Sequence, residues 1–243
     1  MNNEGTTEKM NLMKLVGMVR AFKLLLETGT NGLTADEIVA HLIDAEWDER
    51  YNRRLAGLLQ AAKLRYRASL EQMDFTSQRN LNKNDFLRLA ECDWLRKGQS
   101  VIITGSTGAG KSFAACALAT QACKEGFKTV YYNCLKLFSQ LQLAKADGSY
   151  FRVINKIQKQ DLIILDDFGL KPLDSQSRLI FLEILEDRHS LKSTLITSQL
   201  PIAKWHEIIG DPTIADAICD RLIHNSLRIE LEAKDSMRKM NNN

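Results

Sequence analysis

Leu12, Leu15, Val16, Val19, Phe22, Leu25 and Leu26 stand three or four positions apart, so residues 10–29 predict one amphipathic helix that Gly29 ends. A turn around Gly32 follows. Thr34 and Glu37 then have the spacing of a capping box ahead of Ile38, Val39, Leu42 and Ile43, which predicts a second helix. The stretch DERYNRRLAGLLQAAKLRYRASLEQMDF, from Asp48 onward, carries a leucine and alanine stripe and predicts a third. Together these elements predict a small N-terminal all-helical domain over residues 1–70. From about residue 84 the pattern changes to short apolar runs, SVIITG, KTVYYN, DLIILDDF, STLITS and LRIEL, with helical stretches between them. Five strands with helical crossovers predict an α/β domain over residues 71–243, a parallel sheet between helices.

Composition narrows this picture modestly. With 243 residues, 44% hydrophobic and 26% charged, the chain has apolar material for one sizeable core and a small appended domain. A formal net charge of +3 means that any basic footprint is local. The local candidate is the third predicted helix, where Arg50, Arg53, Arg54, Lys63, Arg65 and Arg67 crowd together with Tyr51 and Tyr66 among them. Two readings stay open for it: a face that neutralises nucleic-acid phosphates, or a solvated face balanced by Glu49 and Glu71. The five cysteines, Cys92, Cys116, Cys123, Cys134 and Cys219, lack C-x-x-C spacing and fall in apolar patterns, as buried thiols in a reducing compartment would. No charged-then-apolar leader opens the chain and no apolar run approaches the ~20 residues of a membrane span, so a cytoplasmic protein is expected.

The first strand runs into Gly105, Ser106, Thr107, Gly108, Ala109, Gly110, Lys111 and Ser112, a full G-x-x-x-x-G-K-[ST] match between a strand and a helix. Such a loop turns successive backbone N–H groups inward above a helix N-terminus and cradles polyphosphate oxygens. The candidate nucleotide-binding residues are these eight together with Phe113. Lys111 would bridge the β- and γ-phosphates, and Ser112 would give its hydroxyl to Mg²⁺. A metal at this place needs an acid at the end of a neighbouring buried strand, and DLIILDDF supplies Asp166 and Asp167. Asp166 is the metal-side acid. Asp167, expected to face the other way along the strand, would orient or deprotonate the attacking water, or else is a plain strand-end polar residue. Gln199, just past STLITS, either holds that water or turns the chain. Arg221, on the helix before the last strand, either reaches a neighbouring subunit's nucleotide or pairs with Asp216 or Asp220.

The motifs NRRLAGLLQAAKLR, GSTGAGKS, LIILDDFGL, TSQLPIAKWHEIIGDPTIADAICDRLIHNSLRIEL and DSMRK together resemble the AAA+ ATPases of the IstB and DnaC type, the IstB-like transposition helper proteins most of all. The likeness covers nearly everything from the first helix onward. It implies that Lys111 and Ser112 are Walker A residues, Asp166 and Asp167 the Walker B pair, Gln199 the first sensor and Arg221 an arginine finger. After LRIEL only a short tail remains, so the helical lid of the wider AAA+ class is expected to be missing, with Arg238 a substitute for the lid's sensor arginine. The resemblance further implies a bacterial ATPase that binds duplex DNA without sequence preference, forms homo-oligomers with ATP and Mg²⁺ at subunit interfaces, and works with a partner transposase. A helicase loader of the DnaC or DnaI kind shares the core motifs. A small-molecule P-loop kinase would need an acceptor pocket and a basic lid, for which the sequence has no sign.

Overall fold

The computed structural model describes residues 2–30, 32–73, 75 and 82–232. Residues 1–57 and 58–243 form two compact units, each described by itself.

In the first unit, the helix expected over residues 10–29 is two: α1 (Asn3–Leu12) and α2 (Val16–Thr28). The break is a Schellman closure. Lys14 takes φ 60°, its N–H bonds the Asn11 carbonyl, and the Leu15 N–H reaches back to Met10. The apolar spacing of Leu12, Leu15 and Val16 runs across this turn without a glycine or proline to mark it. Conversely, the second and third predicted helices are one, α3 (Ala35–Ala62). Nothing between Trp47 and Asp48 interrupts a helix. The expected capping contact at its start is present, with the Thr34 N–H donating to the Glu37 carboxylate at 2.8 Å.

The second unit continues with a 3-10 turn at Leu70–Gln72, α4 (Lys83–Ala90) and α5 (Asp93–Arg96). Strands and crossover helices then alternate: β1 (Ser100–Gly105), α6 (Lys111–Lys124), β2 (Thr129–Asn133), α7 (Cys134–Ala146), α8 (Tyr150–Gln158), β3 (Leu162–Phe168), α9 (Ser175–Arg188) and β4 (Ser193–Ser198). The last elements are α10 (Trp205–Ile209), α11 (Pro212–Ile223) and β5 (Ser226–Leu231). All pairings are parallel, in the order β2-β3-β4-β1-β5, so the predicted five-stranded sheet is present.

Side chains alternate between two covered faces, as both-side burial requires. Val101, Ile103, Leu162, Ile164 and Leu195 pack toward α6 with α4 and α5, while Ile102, Ile163, Leu165 and Ile196 pack toward α7 to α11. Each such aliphatic side chain, fully buried, contributes about 1.5–3 kcal/mol relative to exposure. The five cysteines are buried and free, as their apolar surroundings predicted. Among the described residues no helix is long and apolar enough to cross a membrane.

Because the strands are parallel, their carboxyl ends share one edge, where open α/β sheets bind ligands. Arg188 fastens the opposite edge: wholly buried, it donates to the carbonyls of Ile157, Gln160, Asp161 and Ser193. Burial pulls its pKa down to about 10, against the opposing field of Asp161.

Candidate nucleotide site at the carboxyl edge of the sheet

Gly105 ends β1 with φ 146°, and a Cβ there would lie 2.0 Å from the Leu231 carbonyl oxygen of β5. The loop that follows turns through Gly110, whose φ of 92° opens α6 with a residue that has no side chain to cap it. The first N–H groups of α6 therefore face the loop's interior, where an anion would satisfy them. Lys111, 5% exposed, points inward and donates to the carbonyls of Gly105 and Ser106, each at 2.8 Å. Burial lowers its pKa, and Asp167 and Asp166 oppose that shift.

Ser112 joins the loop to the acid strand: its hydroxyl donates to Asp166 Oδ1 at 2.8 Å. Asp166 has no exposed surface and is surrounded by donors. Besides Ser112, the hydroxyls of Tyr131 and Thr197 and the Arg65 guanidinium, at 3.3 Å, all point at its carboxylate. These donors satisfy the carboxylate oxygens that burial takes away from water. The Tyr131 phenol, half-buried and facing this acid, has its pKa raised by desolvation and by the carboxylate.

Asp167 does not simply face the other way. The pairing of β3 with β4 slips between Leu165 and Phe168, and Asp167 takes φ 62°. This inserts one residue, so Phe168 packs in the cluster with α7 to α11 and both acids stand at the strand end, Asp166 buried and Asp167 lining the cavity. Asp is one of the few side chains that tolerates such a φ. Its N–H donates to Thr197 Oγ1 at 3.1 Å, and its carboxylate accepts from Asn133 Nδ2 at 3.2 Å and from Arg65 at 3.4 Å.

Gln199 stands across the loop, accepting from the Thr107 hydroxyl at 2.7 Å. Both line a cavity with Gly108, Gly110, Lys111, Ser112, Phe113, Asp167, Arg65 and Tyr66. Tyr66 and Phe113 form its aromatic wall, with ring centroids 6.2 Å apart. The structure thus gathers the loop, both acids and Gln199.

A family model described as IstB-like ATP binding protein matches residues 8–243 of this chain. The chain belongs to the IstB-like ATP-binding protein family. An insertion sequence ATP-binding protein of Sinorhizobium fredii is 45% identical over 96% of this chain and 96% of its own length. The insertion sequence IS1162 ATP-binding protein of Pseudomonas fluorescens is 37% identical over 83% and 88%. Among solved structures, replication initiator DnaA bound to AMPPCP and single-stranded DNA matches 72% of this chain and 53% of that chain at TM-score 0.60 and 18% identity. The DnaC helicase loader matches 69% and 99% at TM-score 0.57 and 21% identity. These likenesses identify the core as a P-loop AAA+ fold. An ATP-binding role in an insertion sequence is therefore the family's setting.

The remaining predicted residues of this IstB-family chain have the following partners. Arg221 forms an ion pair with Glu186 on α9, not with Asp216 or Asp220, and also donates to the Ala217 carbonyl at 2.8 Å. Arg50 pairs with Glu46 at 2.7 Å and Arg53 with Glu49 at 3.2 Å, while Arg54 lies on the same helix. The basic segment is not one helix face: α3 ends at Ala62, and Lys63 (φ 50°), Arg65 and Arg67 follow it in irregular backbone. Arg65 rests on the acid pair. Arg238 lies outside the described residues.

Sequence reasoning missed Tyr131, Asn133 and Thr197 as partners of the acids. The available signal was position, since all three stand at or near the carboxyl ends of parallel strands.

Proposed function

We propose that this IstB-family protein is an ATPase that assembles on duplex DNA without sequence preference and serves DNA transposition by regulating a partner transposase and its choice of target. The observation that carries the reading is the 2.8 Å bond from Ser112 to Asp166, which welds the phosphate loop to the acid strand within this family's sequence.

The loop amides and Lys111 bind the triphosphate, Lys111 exchanging the Gly105 and Ser106 carbonyls for β- and γ-phosphate oxygens. The hydroxyl of Ser112 and carboxylate of Asp166 are hard oxygen donors at one point and fit Mg²⁺. When bound, that ion offsets charge on the β- and γ-oxygens. Asp167 takes the proton of a water that attacks the γ-phosphorus as the bond to ADP breaks, and Gln199 holds that water in line. Arg221 leaves Glu186 to act on a neighbouring subunit's nucleotide in the homo-oligomer. Arg50, Arg53, Arg54, Lys63 and Arg67 offer phosphate contacts, each adding about −0.9 to the slope of log affinity against log salt.

Titrating ATPase activity with duplex and with single-stranded DNA tests this function. Stimulation by duplex DNA, lost in Lys111→Ala together with nucleotide affinity, is expected; indifference to DNA would remove the transposition reading. The DnaC likeness in fold favours a second reading as a helicase loader, which requires single-strand preference and capture of a replicative helicase rather than a transposase.

A further inference from the structure

One guanidinium faces the acid pair to which the proposed metal would bind. Arg65 Nη1 is 3.3 Å from Asp166 Oδ2 and 3.4 Å from Asp167 Oδ2, a contact made across 101 and 102 residues of chain. The placement is built. Leu64, Ala68, Leu70 and Met73 pack in one cluster with Cys116 and Ala117 of α6, which fixes the backbone on both sides of Arg65. Its side chain is 39% exposed and its guanidinium lies 5.4 Å from the Tyr66 ring centroid, so it can leave the acids for the aromatic wall without opening a hole in the core.

We propose that Arg65 is a tethered cation that holds the Asp166–Asp167 pair in competition with Mg²⁺, so that metal arriving with nucleotide displaces the guanidinium and is felt by segment 63–69. Arg65 faces Oδ2 of each acid and the metal point lies at the Ser112 side, Oδ1, of Asp166, so two cations on one carboxylate pair repel each other, and the weaker, partly exposed ion pair yields. Occupancy of the phosphate site is thereby converted into loosening of the chain just after α3. Arg65 is on this view a positioning residue for the acids, not a group that touches the reacting phosphate.

The inference rests on the reading of the loop as the site for nucleotide and Mg²⁺. Equilibrium binding of a fluorescent ADP analogue to the full chain, titrated with Mg²⁺, tests it. In Arg65→Gln the half-saturating Mg²⁺ concentration falls about fivefold, the worth of a partly exposed pair, while Arg65→Lys stays near wild type. Hydrogen exchange on the wild-type chain gives a second readout: amides 63–69 exchange faster with ADP and Mg²⁺ than with ADP and a chelator. An unchanged or higher Mg²⁺ requirement in Arg65→Gln overturns the competition, as does unchanged exchange in that segment. Weaker Mg²⁺-free nucleotide binding with an unaltered Mg²⁺ requirement also overturns it, and makes Arg65 a phosphate ligand. Wild-type binding that ignores Mg²⁺ altogether overturns the metal-site reading itself.

Discussion

Gly105 and Asp167 hold the site together through backbone conformations that few side chains accept. At Gly105 the constraint is a neighbour: β5 runs so close that the Leu231 carbonyl fills the space a Cβ would need. Gly105→Ala adds that overlap to a φ of 146° and is expected to cost about 2 kcal/mol or more, lowering the melting temperature by about 4 °C or more. A melt unchanged within error would mean that β5 pairs more loosely than described. At Asp167 the left-handed φ lets two consecutive acids serve one point, and Thr197 ties them by donating to Asp166 and accepting from the Asp167 N–H. The motif names both acids; the strand partner that orients them bears no motif.

At the scale of elements, the N-terminus of α2 is capped from another helix. Its N-cap position is Leu15, which has no side-chain acceptor, and Glu46 on α3 accepts from the N–H groups of Gly17 at 2.8 Å and Met18 at 3.3 Å. Gly17 permits the approach, since a Cβ there would meet the Ala45 carbonyl oxygen at 2.2 Å. Burial of the Glu46 carboxyl acts to raise its pKa, but the bonds from Arg50, Met18 and Gly17 outweigh it, and the folded value lies below the ordinary 4.5. The sign follows: the stabilisation is complete above pH 4.5 and is lost as pH falls through the lowered value. Glu46→Gln is expected to lose about 1 kcal/mol at neutral pH, with the deficit shrinking in acid. Urea melts of both proteins from pH 7 downward check this, and parallel curves would contradict it.

For the whole molecule, a net charge of only +3 leaves any attraction for DNA to local groups, and the proposed oligomer is expected to draw on nucleotide as well. Light scattering with ATP and duplex DNA together is expected to show a larger particle than either alone, and monomers under all conditions would count against the proposed oligomer. Arg221→Ala should leave ATP affinity of the isolated chain within about threefold but lower DNA-stimulated turnover by about 10³ or more, as removal of an arginine supplied in trans does. Equal turnover would return Arg221 to its ion pair with Glu186.

Local physics made the five strands, the phosphate loop and the acid run legible in the sequence by itself. Strands buried on both faces, such as β1 and β3, must be almost continuously apolar, the partly exposed β5 alternates, and a polyphosphate cradle needs glycines, a lysine and a hydroxyl in fixed order. Helix boundaries in the first unit were not legible, because apolar spacing continued through the Lys14 turn and no breaker stood between Trp47 and Asp48. Only tertiary structure brought Arg65, Tyr131 and Thr197 to the acids and turned Arg221 toward Glu186. Those contacts join residues far apart in the chain, and which distant groups meet is decided by how helices pack on the sheet, an outcome that no short window of sequence contains.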